Sequence, residues 1–296
     1  MSVRRPAVLR YAAGMIVVTG GSGKAGRACV KRLVEEGLDV VNVDQNPPPE
    51  DLGCPFVKAD LTDFGQTVGA MSFVDERVGK PADGVVHLAA IPAPGLSTND
   101  ETFRVNTLST WNVFEACRMR GIDNVVWASS ETVLGLPFDE PPPYVPVDEE
   151  YAPRPETTYS LTKRLGESMA EQFCRWNPKM KIIGLRLSNV MEPHDYAQFA
   201  TWQEDPTIRK WNLWGYIDAR DAAEAMRLAL ASDLKGAEVF IIANADTTMR
   251  TKNGDLLEAV FPGVERRGDV GEHDTLLSID KARKVLGYEP KHGWPR

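Results

Sequence analysis

The chain has 296 residues, 43% of them hydrophobic, and a net charge of −8, which supports a large core read as one domain with an appendage or as two unequal domains. The acidic balance, with no basic patch interleaved with aromatics, argues against nucleic acid, and no run of about 18 apolar residues offers a membrane span. Four scattered cysteines (Cys29, Cys54, Cys117 and Cys174) show no Cys-x-x-Cys spacing and read as buried thiols of a reducing, cytoplasmic setting, with neither a disulfide framework nor a metal site.

Residues 1–14 read as a tail. Arg4-Arg5 and the apolar stretch after them faintly suggest an export signal, but Arg10 interrupts it, and the next apolar run, Met15-Ile-Val-Val18, ends in glycines like a strand. From there strand and helix patterns alternate. Strands are expected at 15–19, 38–44, 55–60, 83–89, 124–130 and 181–187, and helices at 24–36, 62–78, 99–120 and 156–176. Residues 136–155, rich in proline and acid, read as a loop. This alternation predicts a Rossmann-like α/β fold, a doubly wound parallel sheet with helices on both faces.

After Asn189 the pattern degrades. Residues 191–214 are polar and aromatic, 216–232 read as a helix with its entry, 238–243 as another strand, and 251–260 and 278–286 as helices. The expected organisation is a dinucleotide-binding domain over 1–190 and a small discontinuous substrate lobe over 191–296, with 216–245 returning to the main sheet.

The run Thr19-Gly-Gly-Ser-Gly23-Lys-Ala-Gly26 lies between a strand and a helix. Gly20 permits a tight turn, Gly23 a close backbone approach to a pyrophosphate, and Gly26 close helix–strand packing; the helix start, with Lys24 and Ala25, offers N–H donors and positive dipole to phosphates. Asp44 closes the second strand about 18 residues on, where a carboxylate accepts ribose hydroxyls and repels a 2′-phosphate. NAD is therefore expected over NADP, although Lys24 and Arg27 pull the other way. Asp60, followed by Leu61, either meets the adenine edge or caps the next helix.

Of the seven tyrosines only Tyr159 has a lysine four residues on, Lys163. On a helix that spacing puts both side chains on one face. A tyrosine acting as a base near neutral pH needs its pKa of about 10 lowered by about 3 units, and the Lys163 ammonium together with an oxidised nicotinamide acts in that direction. Ser130, at the end of the fifth strand, is placed to donate to a substrate oxygen and hold it against Tyr159. A surface helical pair and a strand-end turn cap are the plainer readings of the same residues.

With these residues in view, the chain resembles the extended short-chain dehydrogenase/reductases, the NAD-dependent epimerase/dehydratase superfamily. The resemblance rests on the glycine turn, His87-Leu-Ala-Ala90, Ser129-Ser130-x-x-Val-x-Gly135, Tyr159-x-x-x-Lys163, Arg186-x-Ser-Asn189-Val and Tyr216-Ile-Asp-Ala-Arg-Asp221. It runs from Met15 to about Ala243. It implies a catalytic group of Ser130, Tyr159 and Lys163 with Asn106 supporting the lysine. It places Leu88, Ala89 and Ala90 beside the adenosine, Ser188 at the cofactor, and Asn189, Glu131 and Thr132 near the substrate. His87 reads as a packed strand residue. The family's dehydratases carry Thr-Asp-Glu where this chain has Ser130-Glu131-Thr132, so the base position is Thr132 and dehydration is disfavoured.

Nucleotide-sugar members usually carry a long segment before the Tyr-Ile-Asp run. Here only residues 190–215 intervene, with Arg209 and Lys210 the only lysine or arginine side chains among them. The expectation is an NAD-dependent oxidoreductase acting on a hydroxyl carbon of a small sugar, sugar acid or polyol. An epimerase retaining NAD and a non-catalytic NAD(P)-binding sensor are the alternatives. Phe199, Trp202, Trp211 and Trp214 form either a stacking wall over a sugar, with Trp202 a substrate contact, or lobe core. A homodimer paired through the helices of Asn106 and Tyr159 is expected from the resemblance, and Leu161, Leu165, Met169 and Phe173 recur at near-helical spacing.

Overall fold

The computed structural model describes residues 14–295, so the tail expected over 1–14 lies, apart from Gly14, outside the described residues. In chain order the elements are β1 (Met15–Thr19), α1 (Lys24–Glu35), β2 (Asp39–Asp44), β3 (Phe56–Lys58), α2 (Phe64–Val78), β4 (Gly84–His87), α3 (Asn99–Arg120), β5 (Asn124–Ser130), β6 (Tyr144–Val145), α4 (Thr158–Trp176), β7 (Lys181–Leu187), β8 (Val190–Met191), α5 (Phe199–Trp202), β9 (Ile217–Asp218), α6 (Ala219–Ala231), β10 (Gly236–Ile242), α7 (Asn253–Val260), β11 (Glu265–Arg266) and α8 (Asp280–Leu286). Seven parallel strands form the main sheet in the order β10-β7-β5-β4-β1-β2-β3. The order reverses at β1, and a crevice opens there beyond the carboxyl ends of the strands, where such sheets bind ligands.

Strand periodicity builds two cores. Along β1, Ile16 and Val18 face one side of the sheet and Met15 and Val17 the other. The first core continues through α1 and α6 into Leu256, Leu277 and Tyr288 of the C-terminal region. The second holds the inner faces of α2, α3 and α4, with Phe114, Trp127 and Phe173 in edge-to-face contact.

Two local features set α4 against the sheet. Thr157 and Ser160 form a reciprocal capping box that starts the helix just before Tyr159. Gly166 then lets the helix lie on Trp127, because a Cβ there would fall 2.5 Å from the indole Cη2. A buried ion pair completes the docking: Arg186 of β7 donates to both carboxylate oxygens of Glu167 (2.8 and 3.0 Å), which also accepts from Ser129 Oγ at 2.8 Å.

Differences from the expected elements are mostly at ends. The strand expected over 55–60 spans only Phe56–Lys58, so Asp60 lies in the turn after it. The 136–155 loop contains the short β6, which pairs with β11 of the C-terminal region. The segment left without structure, 191–214, is built of short 3₁₀ turns (Pro193–Gln198 and Pro206–Asn212) around α5. The stripe Leu161, Leu165, Met169, Phe173 splits, because Phe173 is fully buried while Leu161 is exposed and Leu165 and Met169 half-buried.

Candidate active site

Parallel register brings the site together. Thr19 pairs with His87, which sets Gly20 beside Leu88 and Ala89. Ser130 pairs with Leu187, which sets Glu131 beside Ser188 and Asn189. These continuations line one cleft of about 750 Å³ at the carboxyl edge of the sheet. It takes in Gly20, Gly23, Lys24, Ala25, Gly26, Asp44, Asp60, Leu61, Leu88, Ala89, Ala90, Ser130, Glu131, Thr132, Tyr159, Lys163, Ser188 and Asn189.

At one end the backbone forms a tight cradle. Gly20 has φ +72°, and a Cβ on it would stand 2.5 Å from the Ala89 nitrogen. A Cβ on Gly26 would stand 2.1 Å from the Gly20 carbonyl oxygen, so α1 meets the turn with no room to spare. Gly23 caps α1 with no side-chain hydrogen bond, leaving the first helical N–H groups to face the cleft. That arrangement fits a dinucleotide pyrophosphate by shape and by charge. Asp44 accepts from the backbone N–H groups of Ser22 (3.1 Å) and Asn46 (3.2 Å), which aims its carboxylate along the cleft wall. The two cations that weighed against NAD are engaged elsewhere. Lys24 bonds Asp195 at 2.6 Å and Arg27 bonds Glu192 at 2.9 Å, both acids of the 3₁₀ segment packed over the turn. Asp60 accepts from the backbone and hydroxyl of Thr62, which holds its carboxyl below the usual range, while it still lines the cleft.

In the middle, Tyr159, Ser130 and Lys163 converge. Ser130 Oγ accepts from Thr132 N and Oγ1 and stands close enough to the Tyr159 hydroxyl to draw its pKa down. Lys163 Nζ donates to the Ala128 carbonyl at 2.7 Å and lies 5.6 Å from the Tyr159 ring centroid. Burial pushes the Tyr159 phenol up to about 12, the Ser130 hydroxyl opposes this and the Glu131 charge adds to it. Burial likewise draws Lys163 down to about 8. The lysine charge alone therefore does not outweigh desolvation of the phenol.

Asn106 does not stand in the cleft wall. It is buried behind it, accepting from Ile91 N (2.8 Å) and donating to Ile91 O (3.1 Å) and Thr162 Oγ1 (3.4 Å). It ties the loop after β4 to α4, so its contribution is positional. His87 is buried against Thr19 Oγ1 at 2.7 Å, and desolvation lowers its pKa to about 3, as a packed strand residue requires.

The far end holds Glu131, Thr132, Ser188, Asn189 and Trp211. Glu131 is buried; its carboxylate accepts from Ser188 Oγ (2.5 Å) and Asn212 Nδ2 (3.1 Å), and burial raises its pKa to about 7. Trp202 is a correction to the expected substrate contacts. It stacks on Phe199 at 4.7 Å and on Arg209, away from the cleft, and Phe199 and Trp214 are fully buried lobe core. Of the four aromatics only Trp211 reaches the cleft wall. Sequence reading missed Asn212 and the packing of Arg209 between Trp202 and Trp211, because both depend on how the 3₁₀ segment folds back.

The NAD dependent epimerase/dehydratase family model matches residues 16–243, and the chain belongs to that family. It is 31% identical to a UDP-glucose 4-epimerase of Erwinia amylovora over 68% of this chain; the match spans 60% of that protein's length. It is 23% identical to the L-arabinose 1-dehydrogenase (NAD(P)(+)) of Haloferax volcanii, over 93% of this chain and 96% of the relative. The crystal structure of a UDP-galactose 4-epimerase superposes with a TM-score of 0.69 at 27% identity, covering 95% of this chain and 94% of that one. The protein is thus an NAD-dependent enzyme of the extended short-chain dehydrogenase/reductase type, with the Rossmann-like sheet of that group. Among the described residues no helix is long and apolar enough to cross a membrane.

Proposed function

We propose that this enzyme transfers a hydride between NAD and a hydroxyl carbon of a small sugar-like polyol and releases its cofactor each cycle. One observation carries the reading. Among the described residues lining the cleft, the only cationic side chains are Lys24 and Lys163. Lys24 belongs to the glycine turn and Lys163 to the catalytic group, so neither is left for a second pyrophosphate such as that of a nucleotide sugar. Of the two lysine or arginine side chains in 190–215, Arg209 and Lys210, neither lines the cleft, and Arg209 spends its guanidinium on Asn189 Oδ1, the Gly215 carbonyl and two indole faces.

Bound NAD⁺ supplies the hydride acceptor and a second positive charge beside Lys163. The chain's residues do the rest. Ser130 donates to the substrate oxygen, and Tyr159 takes the hydroxyl proton as the carbon becomes a carbonyl. In the reverse direction Tyr159, neutral with a pKa of about 12, returns that proton to the carbonyl oxygen. Lys163 holds the Ala128 carbonyl with one N–H and keeps the others for the ribose and the phenol. Asp44 sets the nucleotide by accepting ribose hydroxyls.

The second reading, an epimerase that keeps its NAD, is favoured by the names of the UDP-sugar relatives and uses the same residues. Cofactor-stripped protein given NAD and a panel of aldoses, uronic acids and polyols separates the two. A rise in reduced-nicotinamide absorbance supports the dehydrogenase. No rise, with NAD retained through purification, refutes it in favour of the epimerase.

The same reading includes a cytoplasmic homodimer. Support comes from the unpaired cysteines and from an exposed apolar strip, Phe103, Leu108, Trp111 and Met119 of α3 with Leu161 and Trp176 of α4, on the helices that carry the site. The division into a cofactor domain over 1–190 and a substrate lobe over 191–296 belongs to this reading too. Its support in the cleft is that 1–190 supplies the lining except for Trp211, which comes from 191–296.

A further inference from the structure

The far end of the cleft holds a carboxyl group for which hydride transfer has no use. Glu131 begins the turn after β5 and is buried beneath the cleft surface it lines. Two side-chain donors converge on it, Ser188 Oγ at 2.5 Å and Asn212 Nδ2 at 3.1 Å, and the Asn189 backbone also lowers its pKa. The cation whose field reaches it, Arg209, does not line the cleft. Its NH1 donates to Asn189 Oδ1 at 3.2 Å and its NH2 to the Gly215 carbonyl at 3.1 Å, and its guanidinium carbon lies 4.5 and 4.6 Å from the Trp202 and Trp211 centroids. The substrate end thus presents an acceptor, a hydroxyl, an amide and an indole, and no open cation.

We infer that Glu131 is a specificity-determining residue that accepts a hydrogen bond from a neutral polyol hydroxyl and turns away substrates bearing a carboxylate at that position. The inference rests on the hydride-transfer reading and deepens it, choosing the neutral sugar over the sugar acid. A uronate in this pose sets two carboxyl groups together where water is excluded, so one of them must hold a proton. An aldose in the same pose gains a charge-assisted hydrogen bond. Rejection by a like charge is the repulsive half of specificity.

The test compares matched pairs, D-glucose with D-glucuronate and D-galactose with D-galacturonate, on the NAD-loaded protein from pH 6 to 8.5. Arg209 stays charged in this range, and Tyr159 of α4, which faces Glu131, moves the same proton for both members of a pair. Lys163 titrates near 8 but serves both members of a pair alike, so it drops out of their ratio. The aldose-to-uronate ratio of kcat/KM should exceed ten-fold at pH 8 and shrink toward pH 6. Glu131→Gln should bring the pH 8 ratio down to its pH 6 value, mainly through a lower KM for the uronate. Calorimetric binding of the same pairs gives the ratio without turnover. Uronates used or bound as well as aldoses, or a ratio indifferent to both pH and the substitution, overturns the inference. Selective aldose binding with no hydride transfer overturns the dehydrogenase reading and leaves Glu131's role standing.

Discussion

Replacing Glu131 by glutamine should stabilise the protein at alkaline pH and not at acid pH. In the fold the carboxyl has its pKa raised from 4.5 to about 7, chiefly by burial. Between those values the folded state holds a proton that the unfolded chain has released, so stability from this group is full below about pH 4.5 and is lost as pH rises through 7. At about 1.4 kcal/mol per unit, the loss between pH 5 and pH 8 is roughly 2 to 3 kcal/mol. Glutamine removes that dependence. It also sets an amide N–H₂ against one of the donors that the carboxylate satisfied, which costs about 1 kcal/mol at every pH. The variant should therefore melt slightly below the parent at pH 5 and above it at pH 8. With an unfolding entropy of about 2.1 cal/mol/K per residue, the swing between the two differences is about 4 °C. Thermal melts of both proteins at the two pH values measure it. An equal difference at pH 5 and pH 8 would refute the claim that a buried, poorly compensated carboxylate sits in this cleft.

Tyr159→Phe should abolish hydride transfer while NAD binding, followed by calorimetry, is kept, because the proposed mechanism moves the proton on the phenol oxygen; unchanged turnover would refute that mechanism. Asp44→Asn should lower kcat/KM with NAD about ten-fold and raise that with NADP, since the amide no longer repels a 2′-phosphate; an unchanged cofactor preference would show that Asp44 does not meet the ribose. Glu167→Ala leaves Arg186 buried and unpaired, and urea denaturation should show a loss of about 3 to 5 kcal/mol. Gly166→Ala drives a methyl into Trp127 and should lower both the melting temperature and kcat by shifting α4, whereas a variant that melts and turns over like the parent would show that the helix is free to move aside.

The parallel sheet was legible because its strands are buried on both faces and separated by helices of ordinary length. α3, β5 and β7 agree with the expected bounds to the residue. The meeting of the glycine turn, Asp44 and the Tyr159–Lys163 pair in one cleft was equally legible, since each is set by short-range spacing on one strand or helix. What failed depended on partners distant in sequence. Lys24 and Arg27 looked like phosphate ligands until Asp195 and Glu192, some 170 residues away, were seen to hold them. Trp202 looked like a sugar platform as readily as Trp211, and only the fold of the 3₁₀ segment turns one inward and the other toward the cleft.

The tyrosine shows how local spacing and burial pull one side chain in opposite directions. A lysine four residues on implies a lowered phenol pKa if the two charges meet in a common medium. The same helix face that aligns them also buries both, and burial acts on each against its charged form, raising Tyr159 and lowering Lys163. Glu131, the third titratable group at the site, adds its field to the phenol's side of the balance. The pKa needed for catalysis is therefore a property of the loaded cleft, in which a cationic nicotinamide offsets both the desolvation and the Glu131 charge. The enzyme should in consequence couple proton release to NAD⁺ binding, and Glu131→Gln, by removing a charge that raises the phenol, should move the ascending limb of the pH–rate profile for alcohol oxidation to lower pH.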